Sequence, residues 1–503
     1  MKSGYRMFIV TGAGDFDRLL KEIHSLFPLQ EEAAFDIDEW YMDTFDWRLC
    51  SKGFVFRKTD GRFVLASLSG NLQEETEGPQ KPKLFWQDFP EGAVRDRLAD
   101  ISGVRALCPL FRVVGRRRHF RLYNKDEKTV LRLRLETGDL YRGDEKRGAF
   151  PPCLHLEGIR GYYNPFQRLS EELKAKGCRE LEAGETFFDL FLRQLQMRPD
   201  CKKTQFFFGA GQTTNQAISS IGLALLDAMQ RNLPGVIDDI DPEFLHDFRV
   251  SIRRTRALLS QFKNEIPPGQ TGIFQKEFQW LGTVAGPVRD LDVCLQKEEN
   301  YRLLLQEGLH PGLSLLMEKI AELRKGQWLI MRDHLRSSRT GDLFANWQDF
   351  LTSLPTRIQT PPGQAPCRKA ARKVVRRCFQ RLIKDAAAVT KGENQDISMH
   401  KLRIQAKKFR YMAEFFRSFF SPADMDILVG ELRGLQDELG DFNDLAVQIR
   451  RFQDYKAALS LEQAAGEALD ELLLRLADER KRLLKRCLKR CGKFTKNDRN
   501  HLF

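Results

Sequence analysis

LHDFRVSIRRTRALLSQF (residues 245–262) returns 154 positions later as MHKLRIQAKKFRYMAEFF (residues 399–416). Both copies read histidine, two spacers, arginine, a β-branched residue, two spacers, two basic residues, a spacer and arginine. The first copy supplies His246, Arg249, Arg253, Arg254 and Arg256, and the second His400, Arg403, Lys407, Lys408 and Arg410. A second pair of segments repeats at the same offset: Leu281, Gly286, Asp290, Leu291 and Val293 against Leu435, Gly440, Asp444, Leu445 and Val447. Two matches at one spacing identify a duplicated structural unit. Its distinguishing chemistry is positive charge, which points to an anionic ligand.

At 100° per residue, His246, Arg249, Arg253 and Arg256 fall within about 80° of arc on one helix face, as do His400, Arg403, Lys407 and Arg410. Leu258, Leu259 and Phe262, with Phe415, Phe416 and Phe419 in the second copy, can supply core packing further along. A basic stripe repels itself, so nearby carboxylates or a bound polyanion must compensate it. A solvated charged face is the plainer explanation of one such stripe. Retention of arginine at matched offsets in a second copy argues against it. The arginine fork donates two parallel hydrogen bonds to phosphate, and lysine adds a point charge. Each histidine is either a tunable donor or a residue that caps or packs inside the bundle. Gly286 and Gly440 fit close helix crossings. Asp290 and Asp444 can pair with Arg249 and Arg403 and hold them in position.

The 503 residues exceed one ordinary core and imply two or three domains; 42% hydrophobic and 30% charged residues place the chain among folded globular proteins. The net charge of +13 is clustered: Arg368 to Lys384 holds eight basic residues and no acid, and Arg480 to Lys493 is nearly as one-sided. The N-terminal stretch lacks the apolar run and cleavage site of a signal peptide. The most apolar segment, Ile218 to Leu226, is far short of a membrane span. Ten cysteines without Cys-x-x-Cys spacing argue against zinc or a disulfide framework and fit a reducing cytoplasm. Neither a metal site nor a cofactor is expected.

The texture changes near residue 200. Before it, Leu131, Leu133 and Leu135 alternate with Arg132, Arg134 and Glu136, the pattern of an antiparallel strand with an apolar and a charged side. Similar strands are expected at Arg6–Thr11, Phe54–Lys58, Arg62–Leu68, Leu84–Asp88 and Arg118–Asn124, with helices at Phe16–Leu26 and Pro165–Lys176. Charged faces on single strands fit solvent exposure; arginine on several strands fits a polar-lined barrel interior. From Thr213 the periodicity is helical: Thr213–Leu233, stopped by Pro234-Gly235, then a helix capped by Asp241 with Pro242 at its first position, running to about Asn264. Asp396 or Ser398 can cap the second motif helix, which stops near Ser421-Pro422. The offset maps Thr213 onto Cys367, so each repeat should open with an equivalent helix. Pro355–Pro366 reads as the linker between repeats. The expected fold class is α+β: an N-terminal antiparallel β-barrel or tunnel-like domain (1–200), then an all-α domain (205–503) of two repeated helical bundles. Each bundle has about four main helices, repeat 1 over about 213–355 and repeat 2 over about 367–495.

The segments LHDFRVSIRRTRALLSQF with WLGTVAGPVRDLDV, and MHKLRIQAKKFRYMAEFF with LRGLQDELGDFNDLAV, closely resemble the two halves of CHAD domains, over roughly 205–495. The resemblance implies a helical, internally duplicated, basic domain associated with inorganic polyphosphate. It assigns His246, Arg249, Arg253, Arg256, His400, Arg403, Lys407 and Arg410 to the phosphate-facing set. The repeated motif itself adds Arg254 and Lys408 to the polyphosphate-binding candidates, with Asp290 and Asp444 as the positioning carboxylates behind them.

Residues 40–59, WYMDTFDWRLCSKGFVFRKT, resemble two strands of the CYTH, or triphosphate tunnel, family, and a weaker resemblance extends to about residue 195. Catalysis in that fold needs carboxylates for a divalent metal and cations for the triphosphate. Where the family has an alternating Glu-x-Glu-x-Lys strand, Tyr5–Val10 has no glutamate; the lysine expected near Ser67–Leu68 is missing, and the late acidic strand aligns with Cys153–Glu157. Arg57, Arg116, Arg118, Arg132 and Arg134 remain as additional anion-binding candidates, and Glu136 remains as one of the few acids. The expectation is a divergent, catalytically silent module.

The leading functional reading is non-catalytic binding of inorganic polyphosphate, in the cytoplasm and at polyphosphate granules, with no membrane partner. A metal-dependent triphosphatase or polyphosphatase in residues 1–200 is the enzymatic alternative, lacking its acidic strand. Nucleic-acid binding is the third, without a helix-turn-helix, zinc or aromatic-stacking signature.

Overall fold

A computed structural model of the chain describes residues 4–10, 16–69, 72–81, 83–182, 184–199, 205–209, 211–267, 269–356, 362–390, 395–458 and 461–496. The chain divides into two compact units, Met1–Lys203 and Thr204–Phe503.

The first unit runs β1 (Tyr5–Val10), α1 (Phe16–Leu26), β2 (Leu29–Thr44), α2 (Arg48–Ser51), β3 (Phe54–Thr59), β4 (Arg62–Ser67), β5 (Gln73–Glu77), α3 (Ala93–Ser102), β6 (Leu107–Tyr123), β7 (Thr129–Arg142), β8 (Glu145–Gly158), α4 (Tyr163–Ala175), β9 (Cys178–Glu180) and α5 (Phe187–Gln194). The strands form one antiparallel sheet in the order β5-β4-β3-β2-β6-β7-β8-β1-β9. Leu131, Leu133 and Leu135 of β7 point with Leu154, Leu156, Phe120 and Leu122 onto α1 and α4, burying one face. On the other face, Phe187, Phe188 and Phe191 of α5 pack on Tyr41, Phe111 and Phe150.

The sheet corrects three expectations. Among the described residues it does not close into a barrel. Its edges are the acid-rich β5 (QEETE) and the three-residue β9, and short or charged edges resist pairing. Leu84–Asp88 is not a strand: Leu84 makes an isolated bridge to Leu107, and Asp88 accepts the Phe85 N–H at 2.9 Å, turning Trp86–Asp88 into a single 3₁₀ turn. The expected strand at Arg118–Asn124 is the end of a 17-residue strand, β6. Thr11, at the end of the first strand expectation, lies outside the described residues.

The second unit is helical: α6 (Thr214–Ile237), α7 (Pro242–Gln261), α8 (Gln270–Val284), α9 (Gly286–Gln296), α10 (Glu298–Leu304), α11 (His310–Arg336), α12 (Ser338–Ser353), α13 (Cys367–Thr390), α14 (Gln395–Phe415), α15 (Pro422–Ala458) and α16 (Gln463–Lys496). The offset of 154 carries α6 onto α13, α7 onto α14, α8 with α9 onto α15, and α11 onto α16. Repeat 1 breaks at Ala285, where Pro287 follows Gly286, while the equivalent Gly440-Asp441 lies inside unbroken α15. Among the described residues of repeat 2, no helix corresponds to α12.

Local signals explain the boundaries. Thr213 and Gln216 form a reciprocal capping box at the start of α6, and Asp241 accepts the Glu243 and Phe244 N–H groups at the start of α7. Pro234, expected to stop α6, lies inside it, and α6 runs on to Ile237. Gly235 supplies the reason: a Cβ there would sit 2.3 Å from the Phe244 ring, so continued helix lets α7 pack tightly. Asp396 lies in the first turn of α14 rather than capping it, and pairs with Arg480 of α16. The two repeats meet where α6 and α13 begin: Thr214 N donates to Ala365 O at 3.0 Å and Cys367 N to Gln212 O at 2.9 Å. Residues 357–361 of the expected linker lie outside the described residues.

Candidate anion site on the two repeated helices

The buried sides of α7 and α14 are apolar: Phe248, Ile252, Leu258 and Leu259 on one, Leu402, Ala406, Phe409 and Met412 on the other. This fixes the rotation of each helix and places the cations along their remaining faces. Arg254 of α7 forms an ion pair with Glu414 of α14 and stacks its guanidinium over Tyr411 at 5.4 Å and Phe415 at 5.7 Å. Arg410 reaches the same Glu414 at 3.6 Å, so one carboxylate joins a cation from each repeat. Phe415 and Phe416 are buried, whereas Phe419 is partly exposed and stacks on Phe208.

The rest of the row is crowded. Arg249 is pushed down to about 10, first by burial and then by Arg253, with Asp290 offsetting part of the effect. Lys407 is pushed down to about 7, again first by burial, then by Arg403 and by Arg253 from the other repeat. The Nε–H groups of Arg249, Arg253, Arg254, Arg403 and Arg410 are buried without a hydrogen-bond partner among the described residues. Arg256 and His400 are exposed, and His246 and Lys408 partly so. His400 Nδ1 lies 2.9 Å from Asn443 Oδ1.

The expected carboxylate partners divide. Asp444 accepts from Arg403 Nη2 at 2.8 Å. Asp290 instead pairs with Arg451 of α15 at 2.8 Å, and Arg249 donates to the Gly282 carbonyl at 3.1 Å. The broken helix accounts for this difference: ending α8 at Val284 leaves a carbonyl turn at Gly282 facing Arg249. Gly286 is tight because a Cβ there would lie 3.3 Å from the Arg249 guanidinium, whereas Gly440 has open space around it. Asp290 and Asp444 line a cavity of about 90 Å³ with Val293, Val447 and Gln448, so the second duplicated segment meets its own copy there. A separate basic hollow of about 460 Å³ holds Arg486, Lys489, Arg490 and Lys493 of α16, with Arg490 bound to the buried Glu438 at 2.8 Å.

Residues 220–453 match the CHAD domain family. The helical unit carries a CHAD domain. The CHAD domain from the plant Ricinus communis is similar to this chain at 26% identity and a TM-score of 0.50, covering 57% of this chain and 95% of its own. PptA from Streptomyces chartreusis is 17% identical with a TM-score of 0.44, covering 56% of this chain and 100% of its own. A putative adenylyl cyclase from Hippeastrum, described as having a dominant triphosphatase activity, is 16% identical with a TM-score of 0.25, covering 38% of this chain and 96% of its own. No curated protein matches the chain. Among the described residues, no helix is long and apolar enough to cross a membrane.

In the N-terminal unit the five candidate arginines separate by strand alternation. Arg57, Arg132 and Arg134 share a face; Arg116 and Arg118 lie on the opposite one, where Arg118 is held by Glu31 at 2.8 Å. Arg132 is exposed, 3.9 Å from Glu157. The shared face holds a chain of ion pairs: Arg57 to Glu39 at 3.5 Å, Glu39 to Arg117 at 3.0 Å, Arg117 to Glu136 at 2.7 Å, and Glu136 to Arg134 at 3.1 Å. Arg134 also reaches His155, which bonds the Tyr5 hydroxyl at 2.5 Å. Burial raises Glu136, but His155, Arg134 and Arg117 outweigh it and hold the carboxyl at about 2. His155 is itself held well below its usual value by burial and Arg134, so the arginines carry that effect. Glu39, Arg117 and His155 were not among the sequence candidates. Period-two alternation alone could have placed Arg117 opposite Arg116, but Glu39 joins it only through the pairing of β2 with β6.

Proposed function

We propose that the CHAD unit binds inorganic polyphosphate without cutting it, gripping the chain with the duplicated rows of α7 and α14. The observation that carries this reading is the crowding of cations from both repeats, with Glu414 bridging Arg254 and Arg410, Asp444 holding Arg403, and five buried guanidinium Nε–H groups without a hydrogen-bond partner among the described residues. Buried unpaired donors are costly, and phosphate oxygens are strong, multiple acceptors for arginine. The family's association with polyphosphate agrees with that chemistry. A polyphosphate ligand would place the protein in the cytoplasm and at polyphosphate granules.

The N-terminal unit is proposed to be a catalytically silent, tunnel-related module. Its buried carboxylates Glu39 and Glu136 are each engaged by arginines. A metal would have to displace those cations. Divalent-metal-stimulated phosphate release from tripolyphosphate by the full chain, lost in Glu136→Gln, would overturn this part.

The test of binding is Arg249→Glu with Arg403→Glu. Retention on immobilised long-chain polyphosphate is expected to be abolished while circular dichroism stays unchanged; Arg249→Gln with Arg403→Gln should give a weaker loss. Unchanged retention refutes the reading. Displacement of bound polyphosphate by DNA or RNA at lower phosphate concentration than the reverse would favour the nucleic-acid alternative.

A further inference from the structure

The duplication supplies an internal control for the basic run of α13. In repeat 1, α12 covers the outer face of α6: Leu351 packs so closely on Gly222 that a Cβ there would lie 2.6 Å from it. The positions of α6 equivalent to the eight cations of α13 include Thr214, Asn215, Ile218, Ser219 and Gly222, all buried, and none of the eight is basic. Among the described residues, repeat 2 has no counterpart of α12, so the same face of α13 is open. Every one of its eight cations is exposed except Arg377, which is partly so.

Solubility alone asks only for polar cover, which mixed charges supply. This face instead carries like charges four apart, at Arg368, Arg372 and Arg376 and at Lys369 and Lys373, with no acid from Arg368 to Lys384. Arg372 stacks on Phe420 at 5.7 Å, and Arg377 donates to Gln261 O at 2.8 Å. Among the described residues, no carboxylate pairs with any of the eight. The row is about 24 Å long. It is continuous with the duplicated motif, since Arg377 touches the end of α7, and Arg377, Arg381 and Lys408 of α14 all surround the buried Cys378 thiol.

We infer that the open face of α13 is an outer track for a polyphosphate chain whose end or middle is held by the duplicated motif, so that long chains bind more tightly than short ones. This rests on the polyphosphate reading and adds the class of chain selected. The test compares tripolyphosphate with chains of about a hundred phosphates, titrated into the full-length protein at two salt concentrations. In Lys369→Gln/Lys373→Gln/Arg376→Gln, long-chain affinity is expected to fall by about tenfold or more and its log–log salt slope by about two, with tripolyphosphate affinity unchanged. Lys369→Arg with Lys373→Arg should keep both. Unchanged long-chain affinity and salt slope in the triple variant overturn the track. Loss of duplex DNA binding without loss of long-chain polyphosphate binding overturns it in favour of nucleic acid. Failure of the unaltered protein to bind either phosphate chain removes the underlying reading before any variant is compared.

Discussion

Lys407 sits on α14 between Arg403 and Arg410, with Arg253 of α7 and Asp444 of α15 facing it. Burial and these arginines bring its ammonium down to about 7. A bound phosphate favours the charged form, so binding above pH 7 must draw a proton onto Lys407; below pH 7 the proton is already there. The Lys407 contribution to polyphosphate affinity is therefore constant below about pH 7 and falls above it, by up to about tenfold per pH unit. Calorimetry in buffers of differing ionisation enthalpy should show proton uptake at pH 8, absent in Lys407→Arg. Uptake of equal size in the variant would assign the proton elsewhere. Folding runs with the opposite sign: the lowered value makes the charged form costly in the folded state, so stability rises as pH rises from about 7 towards the ordinary lysine value, the same interval over which affinity falls. Glu136 is the opposite case. Its carboxyl, held at about 2, contributes stability above the ordinary glutamate range that is lost as pH falls from about 4.5 to about 2. Acid titration of unfolding should show that loss, and Glu136→Gln should flatten it; an unchanged curve would refute the ion-pair account.

At the scale of elements, glycine marks the places where helices touch. A Cβ on Gly312 of α11 would fall 2.1 Å from the Ala464 carbonyl of α16, at the crossing of equivalent helices from the two repeats. Gly312→Ala is expected to destabilise by about 1–3 kcal/mol, because backbone cannot yield as a side chain does. Chemical denaturation measures it, and a neutral result would mean the crossing relaxes freely. The caps at Thr213 and Asp241 were legible in sequence because capping is local. The passage of α6 through Pro234 was not, since one lost helical bond is outweighed by the fit of Gly235 against Phe244. Long strands such as β2 were missed for a related reason. Its buried positions begin only at Ile37, so the first half, LQEEAAFD, carries no strong period-two signal.

At the scale of the whole molecule, binding a polyanion through about ten cations implies strong salt dependence, by analogy with counterion release from nucleic acids. Affinity for long-chain polyphosphate should drop by about a thousandfold or more between 50 mM and 200 mM salt, read by titration of the full chain. A shallow slope would mean that few of the cations touch phosphate.

The sequence by itself determined the duplication, its offset, the one-sided rows on α7 and α14, and the change of architecture near residue 200. Each is written in periodicity, which a chain carries without folding. Only the tertiary structure decided which charges meet. It brought Arg254 and Arg410 to one glutamate, gave Asp290 to Arg451 rather than Arg249, and closed Glu39 and Glu136 among arginines. It also showed that α12 covers α6 while the face of α13 stays open. Pairings between distant segments depend on how helices break and strands register. Local spacing does not contain that information.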